Sequence, residues 1–589
     1  MKPKNKTRNL SFFYMLRRLL PLTLGQFKPY ALLQVFVAVF MMLDIILQTV
    51  VSARFFDSVS AAVGTGDIGK PVIWLAAFGL LIVLQPIVNG ILNFCFGDLT
   101  KRMTGKLLPL IQLKAQRIPA LAFEEPETLD DINKAETGAH VGCGLVLVTA
   151  AILTAYLPYF ILMALYLYSL KPILGIAPVL AFIPVVLSQL VRARVFTQLE
   201  DKAAPMRRKM EHYEKCVGAP EFFKETRLLG AFGFYKKLYR QTLSLFNKEK
   251  WRAQRKTGLI ELGMELITLA GYGIMLFLLV DALLSGEITP GSFAAVFASI
   301  GGIFNMMEEM IVQNFGEVMQ NKGAVANLIR FLDMPEQDGA DRASVKEGVS
   351  LENVRFKYPS AAEESIKGVD LRIRPGETLA VVGTNGAGKS TLVKLIMGLY
   401  TPTSGTVRFG GTDLKKADKM SMFQSTSAVF QDYGRYKMTL KDNVEISAEE
   451  GRLNEALIQA DVDGYGPSYP AGLDTMLSRE FDGVDVSGGQ WQRIAIARGL
   501  YRTHDLIVLD EPTAAIDPME ETKIYKKFAQ IAKDSTAVIV THRLGSARIA
   551  DRIAVMNGGV ISQIGTHDEL IEREGIYRQM WEAQAAWLV

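Results

Sequence analysis

The residues whose types and spacing most clearly suit a chemical role form one glycine-rich run, Gly383-Thr384-Asn385-Gly386-Ala387-Gly388-Lys389-Ser390-Thr391. The run fits the phosphate-binding loop, in which four residues separate a glycine from a following Gly-Lys-Ser/Thr. Glycines let backbone N–H groups approach phosphates, and a helix that starts behind the loop directs its positive end toward them. We expect the loop to bind ATP, with Lys389 at the β- and γ-phosphates and the Ser390 hydroxyl on Mg²⁺.

A second chemical feature is the acidic pair Asp510-Glu511, which ends the apolar segment 506–509. An acid at a strand tip can hold Mg²⁺ through water, and a neighbouring glutamate can orient and deprotonate an attacking water. Such a strand ending is common by itself. Its position about 120 residues after the phosphate-binding loop favours ATP hydrolysis.

The elements around these residues predict an α/β nucleotide-binding domain over residues 349–589. The apolar strand 378–382 precedes the loop, a helical run over 392–399 follows it, and strands alternate with helices from residue 349 onward. Residues 335–348 are polar, contain Pro and Gly, and lack periodicity, so we interpret them as a linker.

The first 334 residues have the composition of a six-helix transmembrane domain. A bilayer core needs about 20 apolar residues in a helix, and buried helices of a soluble protein rarely stay uncharged on every face. We predict spans at 30–56, 71–97, 141–170, 172–194, 258–284 and 288–314.

Basic residues predict the orientation of these spans. Residues 98–140 carry six Lys or Arg and residues 192–256 carry seventeen, whereas the other connections carry at most one. Positive loops stay cytoplasmic, so we place both termini in the cytoplasm. The two long connections are expected to be helical extensions that reverse near 123–126 and 218–220.

Composition also argues against other classes. A net charge of +4 over 589 residues does not favour nucleic-acid binding. The three cysteines have neither paired nor metal-like spacing, which disfavours a disulfide framework or a zinc site.

The segment Ser487-Gly488-Gly489-Gln490 opens a helical run over 491–501, so its small residues expose N–H groups to an anion. Together with the phosphate-binding loop it resembles the signature of ATP-binding cassette (ABC) transporters, and the resemblance extends over essentially the whole chain. It implies that Tyr358 stacks on adenine, that Gln431 reaches toward Mg²⁺ and water, and that His542 acts with Glu511 in catalysis at the γ-phosphate. It also implies that residues 514–517 cross between subunits. Val486 and Ala514 depart from the usual Leu and Ser.

The membrane half resembles the exporter type of this family, in which six helices and a cassette share one polypeptide. Family members sandwich two ATP molecules between two cassettes, each P-loop facing the partner's signature. Because both half-sites in this sequence look complete, we predict a homodimer, with a heterodimer as the alternative. Segments 430–433 and 487–493 are similar to those of bacterial peptide and drug exporters, so a bacterial cell membrane is the expected location.

The resemblance leaves the substrate open. We favour export of a drug-like, amphipathic or small peptide substrate. The alternatives are lipid flipping, import of a chelate by an exporter-type fold, and a membrane sensor that uses ATP only as a switch; the intact Glu511 argues against the sensor. About thirty residues precede the first span, so we expect no N-terminal peptidase domain.

Polar residues inside two spans suggest one substrate preference. Asp44 and Gln48 lie four residues apart in the first span, as do Asn305 and Glu309 in the sixth. An acid within a bilayer is costly, and such residues face the interior or a cavity. We hypothesise that they favour a cationic or amine-bearing substrate; a purely structural role is the alternative.

Overall fold

The computed structural model describes residues 10–316, 318, 322–337, 339–359, 361–447, 452–511 and 535–586. The chain forms two compact units. The first comprises residues up to 115 together with 130–333, and the second comprises 116–129 together with residues from 334 onward.

The first unit is helical. The helices from the N-terminus to residue 332 are α1 (Phe12–Leu19), α2 (Lys28–Thr65), α3 (Gly69–Arg117), α4 (Pro126–Ala151), α5 (Leu157–Leu170), α6 (Pro172–Gly218), α7 (Phe223–Leu228), α8 (Phe232–Leu284), α9 (Pro290–Glu308) and α10 (Lys322–Leu332). A π-helical turn at Ile152–Tyr156 joins α4 to α5, and another at Glu309–Phe315 continues α9.

Six stretches of these helices are long and apolar enough to cross a membrane. They are Lys28–Val63, Gly69–Arg117, Lys134–Leu170, Pro172–Phe196, Phe232–Leu284 and Pro290–Ile311. Each overlaps one predicted span, so the prediction of six long apolar helices is confirmed, and the chain is a multi-pass membrane protein. The helices before and after the two long connections run well past the predicted spans, as expected of helical extensions.

Local chemistry sets where these helices begin and how closely they pack. Pro290 occupies the first turn of α9, where its missing N–H costs nothing, and Thr289 caps that turn through Ser292 N–H at 3.0 Å. The Asp57 carboxylate of α2 accepts the Gly291 N–H at 2.8 Å. A Cβ on Gly291 would lie 2.3 Å from the Ala53 carbonyl oxygen, so the small residue permits the close approach of α2 and α9.

The second unit contains two sheets. The strands are β1 (Val349–Phe356), β2 (Ile366–Ile373), β3 (Thr378–Gly383), β4 (Ser404–Phe409), β5 (Thr412–Asp413), β6 (Thr426–Val429), β7 (Leu506–Asp510), β8 (Thr536–Val540), β9 (Arg552–Asn557) and β10 (Val560–Gly565). An antiparallel sheet has the order β2-β1-β4-β5, and the larger sheet has the order β10-β9-β3-β8-β7-β6. In the larger sheet β9, β3, β8, β7 and β6 are parallel, and β10 pairs antiparallel with β9. Strands β3, β7 and β8 are buried at every position, as expected of parallel strands covered on both faces.

The second unit also contains eight α-helices among its described residues, and some of them, such as the helix that follows β3, pack on the larger sheet. The eight helices are α11 (Lys389–Ile396), α12 (Lys419–Gln424), α13 (Leu440–Val444), α14 (Leu453–Gln459), α15 (Gly488–Tyr501), α16 (Leu544–Ala547), α17 (His567–Glu572) and α18 (Ile576–Ala585). The α/β class predicted for this half of the chain is therefore confirmed.

Two segments outside the predicted 349–589 domain also pack in the second unit. In the predicted linker, Ala343 and Val345 are buried in the same core as β1 and β3. Residues 116–129, the tip of the first long connection, contribute Ala120 and Leu121 to the edge of that core. The Arg117 carbonyl also accepts the Gln337 N–H at 3.0 Å, which ties the two segments together.

Candidate ATP site

The phosphate-binding loop lies between the buried strand β3 and helix α11. Gly388, the residue before α11, has φ of +97°, a left-handed conformation that favours glycine. A Cβ at this position would also lie 2.7 Å from the Ser365 carbonyl oxygen. Backbone conformation and space therefore both require glycine where the loop turns into the helix.

The Lys389 side chain folds back over the loop. Its Nζ donates to the Gly383 carbonyl at 3.0 Å and to the Thr384 carbonyl at 3.1 Å. Burial lowers the pKa of this ammonium, and the charges of Glu511 and Asp510 oppose that shift. The only charged group that the loop itself contributes is thus held where phosphates would approach its N–H groups.

Asp510 ends β7 beside the start of α11. Burial is the main reason that its pKa is raised, while a hydrogen bond from the Ser390 side chain opposes the rise. Its Oδ1 is buried without a hydrogen-bond partner. A buried, unsatisfied carboxylate oxygen beside a hydroxyl fits a hard divalent cation, so these residues are compatible with Mg²⁺. The described residues contain no group of three His, Cys, Asp or Glu that could hold a metal, so a cation here would need phosphate and water ligands too.

Glu511 and His542 face each other across the ends of β7 and β8. Glu511 has φ of +48°, an unusual conformation for a residue with a Cβ, and its N–H donates to the Val540 carbonyl at 3.1 Å. His542 Nδ1 lies 3.3 Å from Glu511 Oε1. Such backbone strain often marks functional positions.

The phosphate-binding loop, Glu511 and His542 share one open cleft of about 1120 Å³, whereas Asp510 is buried behind it and is not among the lining residues. Its walls include all nine residues of the loop, 383–391, together with Gln431, Glu511 and His542. Residues from four separate parts of the sequence therefore meet in one place, at the C-terminal ends of parallel strands, where α/β sheets bind ligands.

The sequence analysis missed several residues of this cleft: Ala361, Glu363, Glu364, Ser365, Lys367, Gly558, Gly559, Met580 and Gln584. The Gly558-Gly559 turn between β9 and β10 contacts the loop, because the Gly559 N–H donates to the Ala387 carbonyl at 3.2 Å. A two-glycine turn between apolar runs was a usable sequence signal. Met580 and Gln584 carry no motif that could have singled them out.

Tyr358 and the 487–490 segment lie elsewhere in the second unit. Tyr358 packs against the rings of Phe356 and Tyr400, and its hydroxyl lies 3.1 Å from Thr391 Oγ1. It is not among the residues that line the cleft. Its hydroxyl nevertheless reaches the last residue of the phosphate-binding loop.

Segment 487–490 begins helix α15 through a capping box, in which the side chains of Ser487 and Gln490 bond each other's backbone N–H. None of its four residues lines the cleft. Tyr433, two residues after Gln431, donates from its hydroxyl to the Gly488 carbonyl at 2.9 Å. Residues 514–517, predicted to cross between subunits, lie outside the described residues.

The first unit contains a separate cavity of about 270 Å³ between α2, α3, the α4–α5 junction and the end of α9. Glu309 lines it and accepts a hydrogen bond from the Tyr156 hydroxyl at 3.0 Å. Gln34, Asn89, Asn93 and Asn314 also line it, beside apolar side chains that include Met41 and Met42.

The other three candidate substrate residues do not line this cavity. Asp44 is buried and accepts from the Gln48 side chain at 2.8 Å, while Gln48 also approaches Gln85 of α3 at 3.3 Å. This pairing occupies one carboxylate oxygen of Asp44, and the other, Oδ1, is buried without a hydrogen-bond partner. Asn305 is exposed on α9.

Comparisons with known proteins agree with this geometry. Residues 366–514 match the family model described as ABC transporter. The chain is 32% identical over 375 residues to the subtilin transport ATP-binding protein SpaT of Bacillus subtilis, a match that covers 62% of this chain and 60% of SpaT. It is 34% identical over 311 residues to YgaD, a putative multidrug export ATP-binding/permease protein of Bacillus subtilis (strain 168), covering 51% of this chain and 53% of YgaD. The chain thus spans between half and three fifths of these curated relatives.

A solved structure extends the likeness to the whole fold. A bacterial Atm1-family ABC exporter with ATP bound superposes with a TM-score of 0.77 at 21% identity, covering 94% of this chain and 98% of that one. The second unit thus contains the segment that matches the ABC transporter model. With six long apolar helices followed by this α/β unit, the chain shares the fold of the Atm1-family exporter.

Proposed function

We propose that this chain is one half of an ATP-driven exporter that hydrolyses ATP to move an amphipathic substrate out of the cytoplasm. One observation carries the proposal: a phosphate-binding loop, a candidate base and a candidate switch histidine meet in one cleft of a chain that also has six candidate membrane spans. A sensor that only binds ATP has no need of the Glu511–His542 pair.

The motif residues at the cleft have separate roles in this proposal. Lys389 and the loop N–H groups would bind the β- and γ-phosphates, and Ser390, Gln431 and Asp510 would hold Mg²⁺, which would supply charge neutralisation when bound. Glu511 orients and deprotonates the attacking water. His542, whose Nδ1 lies 3.3 Å from Glu511 Oε1, would contact the γ-phosphate and stabilise the negative charge that develops there during hydrolysis.

The proposal includes a dimer, with two copies of this chain favoured. Ser487 to Gln490 do not line the cleft of their own chain, yet Ser487 caps a helix whose N-terminal N–H groups suit an anion. A second copy would supply these residues to the γ-phosphate side of the first copy's ATP. ATP then favours the closed dimer because it bonds both chains, and hydrolysis releases that preference.

The substrate we propose is amphipathic and carries an amine or another cationic group. Glu309 is the single charged side chain among the described residues that line the membrane cavity, and its neighbours are carboxamides and methionines. An acid among apolar and amide groups favours a cation with an apolar body. The subtilin and multidrug relatives are consistent with export but do not define the substrate.

The test is Glu511→Gln in the full chain, purified in lipid nanodiscs. We expect ATP binding to persist and hydrolysis to fall about 10²–10⁴-fold, because the variant loses only its general base. The same variant should accumulate an ATP-bound dimer, seen by size and mass. Lys389→Ala is the contrasting variant and should weaken ATP binding itself. Unchanged hydrolysis in Glu511→Gln would contradict the assignment, and a chain that stays monomeric with ATP would contradict the homodimer.

A further inference from the structure

The first turn of the C-terminal helix α18 is held in place by buried contacts, and the end of the helix lies at the ATP cleft. Tyr577 in its first turn is fully buried, its hydroxyl lies 2.8 Å from His567 Nδ1, and its N–H donates to the Gln563 side chain at 3.1 Å. Gln584 lies seven residues later, on the same face of the helix. Gln584 and Met580 both line the cleft.

The Gln584 carboxamide makes two hydrogen bonds to the backbone of the loop that carries His542. Gln584 Nε2 donates to the His542 carbonyl, and Gln584 Oε1 accepts the Leu544 N–H at 2.9 Å. Leu544 begins α16, whose N-terminus has no side-chain cap from Arg543. The carboxamide uses a donor and an acceptor at once, so neither an acid nor an aliphatic side chain could replace it.

The position of the His542 imidazole depends on the backbone of residues 542–544. Its side chain is half exposed and its Nδ1 lies 3.3 Å from Glu511 Oε1. On the other side of the loop, Thr541 Oγ1 accepts the Arg543 N–H at 3.0 Å. The loop is thus held by Thr541 from within and by Gln584 from the C-terminal helix.

We propose that Gln584 is a positioning residue for ATP hydrolysis: it sets the backbone of residues 542–544 so that the His542 side chain meets Glu511 and the γ-phosphate. This inference rests on the proposed ATPase function. It assigns to the C-terminal helix a part in the reaction that neither sequence motif nor family match identified.

The test compares Gln584→Ala with the matched control Gln579→Ala, an exposed glutamine on the same helix. With the full chain in nanodiscs, we expect kcat to fall on the order of tenfold in Gln584→Ala. Loss of the contacts that position a reacting group lowers the reaction rate by about 10- to 100-fold. KM for ATP should stay within about twofold, since Gln584 lies at the histidine and not at the loop's N–H groups. Gln579→Ala should match the parent.

A second variant separates positioning from general stability. In Gln584→Glu the carboxylate can accept the Leu544 N–H but cannot donate to the His542 carbonyl. A glutamate carboxyl has an ordinary pKa of about 4.3, so this side chain stays ionised at pH 7 to 8. We therefore expect kcat of Gln584→Glu, relative to Gln579→Glu, to fall at least as far as in Gln584→Ala, while KM for ATP and Tm stay close to those of the control. A Gln584→Ala or Gln584→Glu kcat equal to its control, or a loss of kcat matched by a fall in Tm, would overturn the inference while leaving the ATPase intact. A parent that does not hydrolyse ATP would overturn the proposed function and this inference with it.

Discussion

Lys419, in the first turn of α12, is a buried amine that donates to two neutral side-chain oxygens. Its Nζ donates to Gln337 Oε1 at 2.6 Å and to Thr401 Oγ1 at 3.2 Å, and only 7% of the residue is exposed. Gln337 belongs to the linker and is bonded in turn to the Arg117 carbonyl. Burial lowers the pKa of Lys419 to about 8 from its ordinary 10.5.

The direction of the resulting pH dependence follows from proton linkage. Between pH 8 and 10.5 the unfolded chain binds more protons at Lys419 than the folded chain does, so stability rises with pH. Below pH 8 the charged amine costs about 3 kcal/mol relative to the alkaline limit. Between pH 7 and pH 9 about 1.3 kcal/mol of that cost is relieved.

Thermal unfolding of the full chain in detergent measures this difference. Lys419→Met removes the titration, so the Tm of the parent minus that of the variant should increase by about 3–5 °C from pH 7 to pH 9, given roughly 2–4 °C per kcal/mol for a unit of this size. Lys416→Met, at an exposed position on the preceding loop, is the control and should show no such trend. A difference that stays constant or shrinks as pH rises would refute the reasoning.

Sequence alone predicted the elements whose signal is local. The six apolar stretches exceed the bilayer thickness, and the glycine-rich loop lies between a buried strand and a helix, so both were visible without tertiary information. The tips of the long connections were expected to touch a cytoplasmic domain, but the particular contacts of residues 116–129 could not be predicted, because Leu121 packs against a core formed more than 200 residues later. The linker was likewise expected to be irregular, yet Val345 is fully buried.

The site residues divide in the same way. Lys389, Glu511 and His542 were identifiable because a motif or a resemblance names them, and their meeting in one cleft follows from parallel strands ending at one edge. Gln584 was not identifiable, since its role arises from a helix that returns to the sheet after β10. Contacts of the Asp44 side chain were also not identifiable from the sequence: Gln48 bonds one of its carboxylate oxygens, and the other is buried without a hydrogen-bond partner.

Two further predictions concern the coupling between substrate transport and ATP hydrolysis. Glu309→Gln should lower stimulation of the ATPase by cationic amphiphiles about tenfold, while stimulation by matched neutral amphiphiles stays unchanged. Glu308→Gln is the control, because Glu308 does not line the cavity. Equal losses for both ligand classes would leave Glu309 only a structural role. Tyr400→Phe should keep the stacking on Phe356 but lose the 2.6 Å hydrogen bond to Glu124, in the connection between α3 and α4. A hydrogen bond to a charged group contributes about 1.5–3 kcal/mol, and this one joins the connection between two membrane helices to the core of the second unit. We therefore expect basal ATPase activity to stay within about twofold of the parent. The amount of substrate moved per ATP hydrolysed should fall severalfold in proteoliposomes. Glu124→Gln retains an acceptor for the tyrosine and should lose less; a Tyr400→Phe chain that transports as efficiently as the parent would show that this contact does not carry the coupling.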